Sequence, residues 1–131
     1  MTLFEELEAR GLVETATDPK IADLLNTPQT VYCGFDPSAA SLQAGNLVSI
    51  MMLRRLQLAG HKVIALVGGA TGLIGDPSGK SAERNMLTVE KVEENKRGIR
   101  ENLSRILDFD GPNAAVMVDN YEWYSGLSAI A

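Results

Sequence analysis

The sequence predicts an α/β fold built on a doubly wound parallel sheet, and three observations carry that expectation. Continuous apolar runs at 30–35, 63–67 and 115–118 read as buried strands. Helical periodicity fills both intervals between them, at 46–59 and 88–107. The loops after the first two runs, 36–46 and 68–84, are rich in Gly, Asp and Ser. Strand, helix, strand, helix, strand is the arithmetic of a parallel sheet with right-handed crossovers. Ligands of such sheets sit beyond the C-terminal strand ends, so both loops are expected at one edge.

Each element has its own warrant. Residues 2–10 form a short amphipathic helix with Leu3, Phe4 and Leu7 on one side, stopped by Gly11. Asp18 and Pro19 open a second short helix over 18–25. The first strand, Thr30 to Phe35, is broken at Asp36-Pro37. The helix from Asn46 to Ala59 is apolar nearly all round, which predicts cover on several sides. Gly60-His61 turns the chain into Val63–Val67, with His61 expected at the surface. The unbroken apolarity of that strand suits a sheet covered on both faces. A long helix from about Thr88 to Leu107 carries Val92, Ile99, Leu103 and Ile106 at helical spacing. Glu90, Glu93 and Glu94 lie near its positive end. Residues 121–131 look like the opening of an unfinished helix.

Composition narrows the function classes. A chain of 131 residues suggests one domain, long enough to bury a core without disulfide or metal staples. Its 45% hydrophobic and 22% charged residues are ordinary for a globular protein. A net charge of -5 disfavours a stand-alone nucleic-acid binder, which needs basic groups for phosphate. Cys33 is the single cysteine, so no internal disulfide or thiolate metal cluster is expected. The acidic opening Met1-Thr2-Leu3-Phe4-Glu5-Glu6 lacks the basic region of a signal peptide. No stretch approaches the roughly 18 apolar residues of a membrane span. A cytoplasmic protein with no membrane partner is expected.

The loops carry the chemistry. The first ends at a helix N-terminus, where free N–H groups and the helix dipole favour an anion. Gly45 there removes a side chain where a ring or phosphate might approach. The same stretch also reads as an ordinary strand-to-helix loop with Asn46 as N-cap. The second loop, Gly68 through Ser81, invites a P-loop reading but fails it. Only Asp76, Pro77 and Ser78 separate Gly75 from Gly79, Ile74 occupies the required glycine position, and Pro77 removes an N–H. Five glycines in twelve residues still indicate close backbone approach to a ligand.

Tyr32-Cys33-Gly34-Phe35-Asp36-Pro37, then Ser41-Leu42 with Gly45-Asn46-Leu47, then Gly68 through Lys80 resembles bacterial-type tyrosyl-tRNA synthetases, in order and with family spacing. The resemblance covers essentially the whole chain. It implies the N-terminal half of a Rossmann-like catalytic domain, with a helical segment over 1–29 and the partial nucleotide-binding domain over 30–131. It implies tyrosine and ATP as substrates, Mg2+ accompanying ATP, no tightly bound metal, and tRNA and a homodimer partner in the whole enzyme.

The resemblance also implies residue roles. Tyr32 hydrogen-bonds the substrate phenol, a contact that discriminates against phenylalanine because its loss strands a buried polar group, tyrosyl-tRNA synthetases being a known instance of that rule. Asp76 holds the substrate ammonium. Asp36, Ser38, Gly45 and Asn46 line the ATP site, and Cys33 approaches the ribose. Lys80 and Arg84 reach the pyrophosphate, where the barrier is mainly phosphate charge. Taken singly, each has a plainer reading: a strand tyrosine, a turn aspartate, a packed cysteine, a solvated basic pair.

Two departures stand out. Class I synthetases carry a His-x-Gly-His type motif, and here the stretch reads Gln43-Ala44-Gly45-Asn46. Glutamine can donate to a phosphate oxygen but carries no positive charge, so weaker activation is expected. The expected second half-domain, which supplies the rest of the tyrosine pocket and much of the dimer interface, and the Lys-Met-Ser-Lys-Ser-type loop are not in this sequence. A fragment of weak or incomplete activity is therefore expected, with a non-catalytic nucleotide-binding or engineered scaffold, or an interaction role, as alternatives.

Overall fold

A computed structural model describes residues 1–37, 42, 44–70 and 88–127. Helix α1 spans Leu3–Ala9. It is started by a capping box, in which the Thr2 hydroxyl accepts the Glu5 N–H at 3.2 Å and the Glu5 carboxylate accepts the Thr2 N–H at 3.3 Å. Gly11, at φ 72°, ends the segment in a conformation that favours glycine. Helix α2 contracts to Ile21–Leu24, shorter than the 18–25 the sequence predicts. The Asp18 carboxylate accepts the Lys20 N–H, and i to i+3 bonds from Ile21 to Asp18 and from Ala22 to Pro19 wind the first turn too tightly for α geometry.

Strands β1 (Thr30–Phe35), β2 (Lys62–Val67) and β3 (Val116–Asp119) form a parallel sheet in the order β1-β2-β3. Helix α3 (Asn46–Leu58) joins the first two, and α4 (Val89–Ser104) leads to the third. The α/β architecture is the one the apolar runs predict. The strand order steps one way, so right-handed crossovers put α3 and α4 on the same face. Register and burial agree. Val31, Cys33 and Phe35 pair with Val63, Ala65 and Val67, and this face packs on Ile50, Leu53, Leu56, Ile99, Leu103 and Leu107. The alternate face is less covered than an unbroken apolar strand predicts: Ile64 and Leu66 are half-buried and Tyr32 is exposed.

Two expectations are corrected. The cover expected on several sides of α3 is partial, since Leu47, Val48 and Leu58 are exposed. His61 is not a surface residue; it is 1% exposed. Its Nδ1 accepts the Gln29 N–H at 3.0 Å, and its Nε2 lies 3.1 Å from the Leu25 carbonyl. With Nδ1 accepting, the ring proton sits on Nε2 and is donated to Leu25. The imidazole thus satisfies two backbone groups where α2 runs into β1. Nearby, Gln57 donates to the carbonyls of Asp108 and Asn113 and accepts the Asp108 N–H, tying α3 to the α4–β3 connection.

The short helix α5 (Tyr121–Tyr124) follows β3. Among the described residues, no helix is long and apolar enough to cross a membrane.

Candidate functional site

The C-terminal ends of the three strands bring the two loops to one edge, as the sequence predicts. The Gly68 N–H donates to the Phe35 carbonyl at 3.0 Å, and the Asn120 N–H donates to the Val67 carbonyl at 3.1 Å. The stem of the glycine-rich loop therefore lies between the ends of β1 and β3.

Five of the residues singled out from sequence are described. Asp36 is exposed immediately past β1. Gly45 and Asn46 begin α3, with Gly45 rather than Asn46 at the cap position. A Cβ at Gly45 would meet no described residue within 4 Å. Asp36 and Asn46 both have interaction partners. Cys33 lies on the helix-covered face, where burial pushes its thiol pKa up and a hydrogen bond with Ser49 of α3 pulls the other way. Tyr32 points to the opposite face and is 72% exposed. Adjacent strand residues alternate faces, so Tyr32 and Cys33 address different sides of the sheet. Ser38, Gln43, Asp76, Lys80 and Arg84 lie outside the described residues, as does the glycine-rich loop beyond Ala70.

The structure adds residues that the sequence reading did not single out. The Asp119 carboxylate, its side chain 4% exposed, closes the floor of this edge. Its Oδ1 accepts the N–H groups of Gly69 at 3.1 Å and Tyr121 at 2.9 Å. Its Oδ2 pairs with Lys96 Nζ at 3.1 Å. Lys96 also pairs with Glu93 at 3.1 Å. Burial opposes the Lys96 charge, but hydrogen bonds to Glu93 and Asp119 and attraction to both carboxylates outweigh it, leaving the pKa above the ordinary lysine value. The Asn120 carboxamide accepts the Ala70 N–H at 2.9 Å.

Helix α4 reaches the first loop as well. Asn95 Nδ2 donates to the Pro37 carbonyl at 2.8 Å, and Asn102 Oδ1 accepts the Leu42 N–H at 3.0 Å. Asn95 is fully buried and its Oδ1 has no hydrogen-bond partner among the described residues. Its place in the stripe Val92, Asn95, Ile99, Leu103 is the signal that could have found it, because a polar residue inside an apolar stripe must have a bonding reason to be there. Among the described residues, no group of three or more His, Cys, Asp or Glu could hold a metal ion.

Comparison with known proteins agrees with this geometry. The family profile described as tRNA synthetases class I (W and Y) matches residues 24–131. A tyrosine–tRNA ligase of Rhodopirellula baltica is 52% identical over 129 residues, spanning 97% of this chain and 30% of that protein. Tyrosine–tRNA ligase 1 of Streptococcus thermophilus is 55% identical over 133 aligned positions, spanning 99% and 32%. This chain thus spans about a third of the length of the curated relatives it matches. Among solved structures, a C-terminally truncated mitochondrial tyrosyl-tRNA synthetase of Coccidioides posadasii superposes with a TM-score of 0.74 at 25% identity, covering 99% of this chain and 38% of that one. The corresponding Aspergillus nidulans protein gives 0.79 at 24%, covering 98% and 40%, a likeness of fold. With its parallel sheet, its paired loops at one edge and a family match over most of its length, the chain belongs to the class I tRNA synthetases (W and Y).

Proposed function

We propose that this chain is the ATP-binding core of a tyrosine–tRNA ligase, carrying the first half of the apparatus that joins tyrosine to AMP. The observation that supports this best is the meeting of Asp36, the α3 start at Gly45-Asn46 and the Gly68-Gly69 stem at one sheet edge. In the reaction, a tyrosine carboxylate oxygen bonds to the ATP α-phosphorus as the bond from that phosphorus to the α,β-bridging oxygen breaks. Tyrosyl-adenylate forms and pyrophosphate leaves. Mg2+ accompanying ATP supplies charge neutralisation.

The protein contributes position and charge. On this reading Tyr32 bonds the phenol and Asp76 the ammonium. Asp36, Ser38, Gly45 and Asn46 hold the nucleotide, with Cys33 toward the ribose. Gln43 and Asn46 donate to phosphate, and Lys80 and Arg84 meet the departing pyrophosphate. Transfer to tRNA belongs to the whole ligase. The charge of -5 argues against strong tRNA binding by this stretch alone.

The test is titration of the chain with MgATP and with L-tyrosine, together with tyrosine-dependent ATP–pyrophosphate exchange. Binding of both ligands with exchange supports the proposal. ATP binding alone leaves a nucleotide-binding module, the reading favoured by Gln43 at the histidine position, and binding of neither refutes the proposal. Removing one transition-state donor typically costs on the order of a hundredfold in rate, so Gln43→His should raise exchange by up to that factor. An unchanged rate would show that residue 43 does not limit activation.

A further inference from the structure

One helix holds the stems of both loops. Asn95 and Asn102 bond the first loop at Pro37 and Leu42, while Lys96 reaches the second through Asp119. We propose that Lys96 and Asp119 are positioning residues that fix the stem of the glycine-rich loop, an inference that rests on the nucleotide-site reading above for its functional consequence.

The geometry is specific. One carboxylate oxygen takes the backbone N–H of Gly69 and the other takes the lysine ammonium, so the ion pair orients the acceptor that anchors the loop. The carboxylate is nearly sealed from solvent, and a buried charge without a partner is costly, so Lys96 supplies the countercharge that holds Asp119 in place. Gly69 completes the arrangement. A Cβ at that position would strike the Asp119 carboxylate, so the carboxylate can approach the backbone only because residue 69 has no side chain. Lys96 touches neither proposed substrate; it acts through Asp119 on the stem from which Asp76 and Lys80 follow in the chain. Glu93 shares the ammonium and limits its alternatives.

The experiment uses the nitrogen-15-labelled 131-residue chain and its Lys96→Met, Lys96→Arg and Asp119→Asn variants. Two readouts are taken: the amide resonances and exchange rates of Gly69 and Tyr121, and the affinities for MgATP and L-tyrosine. Lys96→Met should shift both resonances and speed Gly69 exchange by at least about tenfold, the scale of one weakened charge-assisted hydrogen bond, while Val63 in the central strand keeps its protection. Lys96→Arg should restore them. Asp119→Asn keeps an oxygen toward Gly69 but drops the charge, so adding Lys96→Met to it should change little more. Ligand affinities should fall with Lys96→Met and recover with Lys96→Arg. Unmoved Gly69 and Tyr121 amides, uniform acceleration across the sheet, or no recovery with arginine would overturn the proposal. If the parent chain binds neither ligand, the functional reading falls, while the amides still decide the brace.

Discussion

Gly69→Ala isolates the closest approach at the sheet edge. A Cβ there would lie 2.7 Å from Asp119 Oδ2 and 2.8 Å from Cγ, and closer still to Oδ1. Real atoms do not tolerate such contacts, so the carboxylate must move. It is held by the Tyr121 N–H at 2.9 Å and by Lys96 at 3.1 Å, so moving it strains or breaks those bonds. Overpacking costs about 1–3 kcal/mol, and weakening a hydrogen bond to a charged group costs about 1.5–3 kcal/mol. Against this, alanine restricts the unfolded chain and returns about 0.4–1 kcal/mol. These terms together span about 1.5–5.6 kcal/mol, with a central net loss of about 2–4 kcal/mol. At about 4 °C per kcal/mol for this size, Tm falls by about 8–16 °C. The decisive measurement is a double-mutant cycle by urea denaturation. In an Asp119→Ala background the obstacle is gone, and Gly69→Ala should be neutral or slightly stabilising, giving a coupling of about 2–4 kcal/mol. Equal losses in both backgrounds would refute the collision as the reason for glycine.

Three more outcomes follow from other sites. Lys96 has a raised pKa in the folded state, so its stabilisation is complete below the unfolded value of about 10.4 and is lost as pH rises through the higher folded value. The Tm gap between the parent and Lys96→Met should therefore hold steady from about pH 7 to 10 and narrow above; narrowing on acidification from pH 10 to 8 would contradict it. Burial raises the Cys33 thiol pKa, so iodoacetamide at pH 8 should label it several-fold more slowly than in the urea-unfolded chain, checked by mass spectrometry. Gln57→Leu keeps the volume but takes the Gln57 partner from the Asp108 N–H and the Asn113 carbonyl, leaving the Asp108 carbonyl only the Ala115 N–H, and should cost about 2–4 kcal/mol in urea denaturation; a loss under about 0.5 kcal/mol would mean those groups find other partners.

The sheet was legible because its strands are written as apolar runs, and local composition settles where such runs begin and end. What escaped the sequence depends on partners far along the chain. His61 reads as a turn residue until Gln29, 32 positions earlier, presents an N–H to it. Lys96 and Asp119 are not singled out by the sequence, since only the β2–β3 register brings Asp119 beside Val67 and the Gly69 stem. The length of α2 was misjudged for the opposite reason: Asp18 bonds the backbone locally and tightens the turn before an α-helix can start. Cover on the second sheet face could not be judged from apolarity alone, since Ile64 and Leu66 fit a half-buried surface as well as a buried one.

The two-residue period of β1 constrains how one ligand could use both halves of the proposed site. Tyr32 and Cys33 are neighbours in sequence and lie on opposite faces, with the sheet between them. A tyrosine bonded to Tyr32 must lie on the open face, while a ribose near Cys33 lies toward α3. The two can be parts of one molecule only where the sheet ends. Gly34 lies on the Tyr32 side, and a Cβ there would come no nearer than 4.0 Å to the Leu66 carbonyl, so nothing within the described chain demands glycine at that place. Its missing side chain instead clears the open face between Tyr32 and the strand end at Phe35. Beyond that end lie the Asp36 turn and the Gly68-Gly69 stem, held by Asp119 and Lys96 from the helix side. A bond between a tyrosine carboxylate and an ATP phosphate would therefore form over the strand ends, the one place open to both faces, and the brace from α4 acts on that place rather than on either pocket.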